Sequence, residues 1–119
     1  MQPTPDTEQS STKTRRFPRY KTNLPLKVRK LAEATVSGQC NIIAGGGLGG
    51  ILPQSLPVGD VVLLDFSVPT HTSSLRVWAL VRYQQDLQHG FEFLSLTPAQ
   101  RLSVREFCHE LALQSATHT

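Results

Sequence analysis

The sequence predicts a mostly β fold: a small antiparallel barrel or sandwich with one C-terminal helix behind a polar N-terminal tail. Three observations carry this. Six short β-rich segments follow one another at close spacing between residues 24 and 94. Glycine and proline clusters punctuate them where the chain must turn. Only the final segment changes from a period of two to the period of a helix.

Residues 1–13 are rich in Thr, Ser, Gln, Pro and Asp and carry no large apolar side chain beyond Met1. Such a segment cannot offset its ordering entropy, so a disordered tail is expected there, with a shorter flexible tail at 115–119. From Leu24 the pattern alternates. Leu24, Leu26 and Val28 face one way, Lys27 and Arg29 the other, as in a half-buried strand with a basic outer face. Thr35 to Ile43 reads as a second strand that runs into glycines, and Leu48 to Leu52 as a short third. Pro53 and Pro57-Val58-Gly59-Asp60 mark turns. Val61 to Val68 is a continuous β-rich run. Ser74 to Tyr83 alternates, with Leu75, Val77, Ala79 and Val81 on one face and Arg76, Trp78, Leu80 and Arg82 on the other. His89-Gly90 is read as a turn before a sixth strand at Phe91-Glu92-Phe93-Leu94. Thr97-Pro98-Ala99-Gln100 then has the form of a capping box with Pro at the first helical position. Val104, Phe107, Cys108 and Leu111 recur at i, i+3, i+4 and i+7, one apolar stripe on a helix running to about Leu113.

At 119 residues the chain supports one domain, and its 39% hydrophobic and 18% charged composition is that of a globular protein. No apolar run is long enough to cross a bilayer, and the N-terminus lacks the regions of a signal peptide, so a cytoplasmic protein without membrane insertion is expected. Cys40 and Cys108 are far apart and have no metal-ligand spacing, so two reduced, buried thiols are expected rather than a disulfide. His71, His89, His109 and His118 are scattered. They form no zinc spacing with the cysteines, and no triad emerges around Ser73, Ser74 or Asp65, which argues against an enzyme.

The net charge of +3 says less than its distribution. Lys13, Arg15, Arg16, Arg19, Lys21, Lys27, Arg29 and Lys30 are eight of the twelve basic residues, and no acid lies between Glu8 and Glu33. A nucleotide or polyanion would be drawn there; a solvated basic face is the alternative, and charge alone does not choose. Within this stretch Arg15-Arg16-Phe17-Pro18-Arg19 stands where the polar tail meets the body. A guanidinium is a planar fork of donors that clamps phosphates or a base edge. About one strand later comes Asn41-Ile42-Ile43-Ala44-Gly45-Gly46-Gly47-Leu48-Gly49-Gly50, with five glycines among the last six residues. Such density serves either close approach of backbone N–H groups to phosphates or a tight turn or bulge. It is neither a Walker loop nor a dinucleotide-binding fingerprint.

Taken together, Arg-x-x-x-Arg before the β-body and Asn-x-x-x-x-Gly at the end of the second strand resemble the PilZ family. Leu24-Pro25-Leu26-Lys27-Val28, Leu56-Pro57-Val58-Gly59 and His89-Gly90-Phe91-Glu92-Phe93-Leu94 extend the resemblance, which covers about residues 15 to 112. The fold it implies is a six-stranded antiparallel β-barrel with a C-terminal α-helix. The function it implies is a cyclic di-GMP receptor or effector module in bacterial second-messenger signalling, acting without cofactor or metal through a downstream protein partner. By the same resemblance Arg15 and Arg19 grip guanine edges and phosphates, a chemistry that suits guanine O6 and N7 as paired acceptors. Arg16 adds a phosphate contact or faces water, Asn41 bonds a guanine edge or braces the turn, and Gly46, with Gly45 beside it, matches the motif glycine. Binding would then order the Arg-rich segment over the barrel. The sequence departs from the family at one motif position, where Ile43 replaces the expected Ser, and its glycine run is one residue longer. That departure keeps a second expectation in view, a degenerate module that binds protein and no nucleotide. Nucleic acid bound by the basic first strand is disfavoured because no aromatics interleave Lys27, Arg29 and Lys30.

Overall fold

The computed structural model describes residues 17–117, and these form six strands and a helix. The strands are β1 (Tyr20–Lys30), β2 (Thr35–Ala44), β3 (Gly47–Ile51), β4 (Val61–Phe66), β5 (Leu75–Gln85) and β6 (Gln88–Phe93), followed by α1 (Pro98–Thr117). The expected tail at 1–13, together with Arg15 and Arg16, lies outside the described residues. Every paired strand is antiparallel, and the order β1-β2-β3-β6-β5-β4 closes into a barrel through the β4–β1 pairing. Closure removes the free edges that an open sheet of this size would present.

The inward positions are the ones that alternation marks. Leu26 and Val28 on β1 and Leu75, Val77, Ala79 and Val81 on β5 are buried, and Val62, Leu64 and Phe66 fill the same core from β4. Lys27 and Arg29 point outward, as do Arg76 and Trp78, which is 43% exposed. Phe66 stacks on Phe93 with ring centroids 6.1 Å apart, tying β4 to β6 through the interior.

Helix α1 starts as its sequence predicts. The Thr97 hydroxyl accepts from the Gln100 amide N–H at 3.1 Å, and the Gln100 side chain accepts from the Thr97 N–H at 2.9 Å. Two of the donors that a helix N-terminus leaves orphaned are thereby satisfied reciprocally. Val104, Phe107 and Cys108 are buried and Leu111 packs against the core, so the apolar stripe is core rather than a free face. Ser103 is also buried, where its hydroxyl meets His71 Nδ1 at 2.7 Å and its carbonyl accepts from Thr70 Oγ1 at 2.6 Å. These two bonds fasten the β4–β5 loop to the helix. The helix continues past Leu113 to Thr117, so the segment read as a tail from residue 115 is helical for its first part. Among the described residues no helix is long and apolar enough to cross a membrane.

One turn lies elsewhere than the sequence predicts. His89 and Gly90 belong to β6, and the chain reverses at Asp86-Leu87. Asp86 takes the left-handed conformation at φ 55°, which a short polar side chain tolerates better than most. Gly90 pairs with Gly49 and Tyr83 within the sheet, and the Tyr83 side chain crowds it: a Cβ there would lie 3.2 Å from the Tyr83 Cβ. His89 is fully buried. Its Nε2 accepts from the Leu56 N–H at 2.9 Å and its Nδ1 lies 2.9 Å from the Leu87 carbonyl, so the ring ties the β3–β4 connection to the β5–β6 turn.

Candidate ligand-binding cleft

The glycine hairpin and the lead-in at Phe17 meet in space. Gly45 and Gly46 form the two-residue turn between β2 and β3, where Ala44 pairs with Gly47. The Phe17 ring lies directly over this turn. A Cβ on Gly45 would come 2.6 Å from the ring, and one on Gly46 would come 2.9 Å from it. Neither glycine has a positive φ, so their service here is close approach rather than an unusual backbone. Phe17 therefore seats the lead-in to β1 on the hairpin.

Strand β2 carries a bulge where it pairs with β3. Cys40 faces Gly50 and Ile42 faces Gly49, which leaves Asn41 as the extra residue. A bulge of this kind breaks the alternation and re-aims the side chains that follow. Cys40 and Ile43 are both buried as a result, Ile43 at 1% exposure. The position at which the family pattern places a hydroxyl thus points into the core. Asn41 is turned toward β6, where its amide forms a reciprocal pair with Gln88: Asn41 Nδ2 donates to Gln88 Oε1 at 2.9 Å, and Gln88 Nε2 donates to Asn41 Oδ1 at 3.3 Å.

A second bulge lies on β5, between Val81 and Tyr83, and its extra residue is Arg82. Both bulged residues line one cleft of about 1300 Å³ at the side of the barrel. Phe17, Arg19 and Lys21 border it from the lead-in and β1, Asn41 to Ala44 and Gly46 to Gly49 from the hairpin, and Arg82, Tyr83 and Gln88 to Glu92 from β5 and β6. Of the residues singled out from sequence, Arg19, Asn41 and Gly46 border this cleft and Gly45 supports it through Phe17. Arg82 is held by Glu92, with Nε 3.5 Å from Oε1, and both side chains remain largely exposed. Tyr83 is half exposed and presents an aromatic ring. Sequence reasoning missed Lys21, Arg82, Tyr83 and Gln88. The basic character of Lys21 was visible, but only the barrel's closure brings β5 and β6 beside the hairpin.

The cleft's chemistry is that of an anion and ring-binding surface. Arg19, Lys21 and Arg82 supply three cations against one carboxylate, Glu92. Phe17 and Tyr83 supply ring faces, and Asn41 and Gln88 supply amide groups. Its volume of about 1300 Å³ lies above the usual range of about 300–1,000 Å³ for small-ligand sites.

Comparison with known proteins agrees with the barrel fold. The family model described as PilZ domain matches residues 13–110. No curated protein matches the chain. Among solved structures, the Bacillus subtilis inhibitor of motility MotI/DgrA is similar with a TM-score of 0.71 and 17% identity, over 84% of this chain and 51% of that one. The chain thus spans about half the length of that protein. The PilZ domain of YcgR from Escherichia coli, solved with cyclic di-GMP, is similar with a TM-score of 0.65 and 15% identity, over 87% and 95% of the two chains. The PilZ domain of CeSA from a cellulose-synthesizing bacterium gives a TM-score of 0.63 at 17% identity, over 80% and 98%. At these identities the structures share the fold, while the family model spans both motifs and all six strands of the barrel, so the chain belongs to the PilZ domain family.

Proposed function

We propose that the protein is a cyclic di-GMP receptor module with no chemistry of its own, working in bacterial second-messenger signalling. One observation carries the reading. The lead-in that holds Arg19 and the hairpin that holds Asn41 and Gly46 are far apart in sequence, yet they border the same cationic cleft. In this reading Arg15 and Arg19 grip guanine edges and phosphates, with Arg16 as a further phosphate contact. Phosphates near three cations gain charge-assisted hydrogen bonds, and guanine faces find Phe17 and Tyr83 to stack on. Binding orders the residues ahead of Phe17 over the cleft, which presents a changed surface to a downstream protein partner in the cytoplasm. Isothermal titration with cyclic di-GMP tests the reading. Binding in the micromolar range or tighter is expected for the native chain and none for the double variant Arg15→Ala, Arg19→Ala. A native chain that gives no heat at high micromolar ligand rejects it.

A second reading is favoured by Ile43. Its inward position means that no motif hydroxyl faces the cleft, as in a degenerate module that binds protein alone. A partner captured equally by the native chain and by the double arginine variant, together with a silent titration, would select this reading.

A further inference from the structure

Gln88 lies on β6 and Asn41 on β2, with β3 between them, yet their amides meet. The contact is made over Gly49. A Cβ at that position would come 3.2 Å from Gln88 Nε2 and 2.6 Å from the Ile42 side chain, so the absent side chain clears the path across β3. The bulge at Asn41 supplies the other half by turning that residue toward β6. Two departures from regular strand structure thus converge on one amide pair at the wall of the cleft.

We propose that the Asn41–Gln88 pair reads the purine base of the bound nucleotide, and that Gln88 is a specificity-determining residue selecting guanine through its 2-amino edge. The inference rests on the cyclic di-GMP reading and extends it to a residue outside both sequence motifs. The donor and acceptor count supports it. Each amide spends one N–H and one oxygen lone pair on its partner, and Gln88 Nε2 also lies 3.3 Å from the His89 carbonyl. Each side-chain oxygen retains a second lone pair. In a reciprocal pair the edge that carries the free lone pair of Gln88 Oε1 also carries the second N–H of Asn41 Nδ2, and this acceptor beside a donor matches the 2-amino group and N3 of guanine. Adenine and hypoxanthine both lack the 2-amino group. A site that supplies acceptors for a specific donor discriminates against an analogue lacking it, because its polar groups are then left unpaired. Gln88 also supplies polar atoms to a wall where the motif hydroxyl is replaced by the aliphatic Ile43.

The test is titration of the full chain with cyclic di-GMP and with cyclic di-IMP, its hypoxanthine counterpart, for the native sequence, Gln88→Met and Gln88→Ala. The native chain is expected to prefer cyclic di-GMP by about tenfold, the scale of one hydrogen bond to a buried polar group. Both variants should lose most of that preference, with cyclic di-GMP weakened toward the level of the analogue. Melting curves identify a folded variant, and the two replacements guard against a defect peculiar to either. Variants that melt earlier but keep the native preference reduce the amide pair to a structural stitch and overturn the inference, leaving the cyclic di-GMP reading intact. A native chain that binds neither nucleotide overturns the reading itself, and the inference with it.

Discussion

Cys40 sits on β2 with no exposed surface, its Sγ 3.4 Å from the Ile42 carbonyl, and Cys108 is buried on the inner face of α1. Both are free thiols, in keeping with the expectation from their sequence separation. Burial disfavours the thiolate and pushes Cys40 from 9.0 up to about 12, the weak hydrogen bond to Ile42 opposing only part of this. Cys108 is pushed upward by the same cause. Since the thiolate is the reactive form, neither thiol should be alkylated by iodoacetamide at pH 8 in the native protein, and both should be alkylated in denaturant. The sign of the pH effect follows from the direction of the shift. Between pH 9 and about 12 the unfolded Cys40 has lost its proton while the folded one retains it, so the folded state binds more protons and stability falls as pH rises through that window. Below pH 9 the contribution is constant. Mass spectrometry after alkylation checks the first statement and urea titrations across the alkaline range check the second. Rapid native labelling of Cys40 at pH 8 would contradict its burial.

At the level of elements, alternation identified the inward faces of β1 and β5, and the capping box fixed the start of α1, because these elements obey one period throughout. Strand β2 does not. Val36, Gly38 and Cys40 alternate, and strict continuation would put Ile42 inside and Ile43 outside. The bulge at Asn41 reverses that, burying Ile43 and turning Ile42 toward the cleft. No local residue signals the bulge; it arises from fitting β2 to the glycines of β3. The turn at Asp86 escaped for a related reason, since Gly90 is the stronger turn former by type but its backbone pairs across to β3 and β5. The bulge has a consequence for engineering. Ile43→Ser restores the motif residue by name but places a hydroxyl among core side chains and removes the bulk of a fully buried one. The expected cost is roughly 3–5 kcal/mol of stability, read from the denaturant midpoint, with no gain in cyclic di-GMP affinity. A variant that kept its stability and bound the nucleotide more tightly would mean that residue 43 faces the cleft.

Across the whole molecule, the site depends on the barrel and the lead-in being held together, and Phe17 is the described residue that holds them. Its ring rests on the Gly45-Gly46 turn with 46% of its surface exposed, so it contributes little to the core but holds the start of the described lead-in against the hairpin. The two motifs were legible in sequence, whereas this contact was not, because nothing in a glycine run names the side chain that will cover it. If the ring's function is to pre-position the arginines, Phe17→Ala and Gly45→Ala should do the same damage by different means, one removing the ring and the other displacing it with a Cβ 2.6 Å away. Each should weaken cyclic di-GMP by about three- to tenfold, the ordering cost of one or two side chains that is otherwise met before binding. The double variant should bind no worse than the weaker single, since both changes act on one contact and their effects cannot add. Melting temperatures should change little in Phe17→Ala. A readout without ligand accompanies these: the Phe17 ring lies against Gly46, so the Gly46 resonances should shift in Phe17→Ala as the ring current is lost. Strictly additive losses in the double variant, or an unmoved Gly46 resonance, would show that Phe17 and the hairpin act independently.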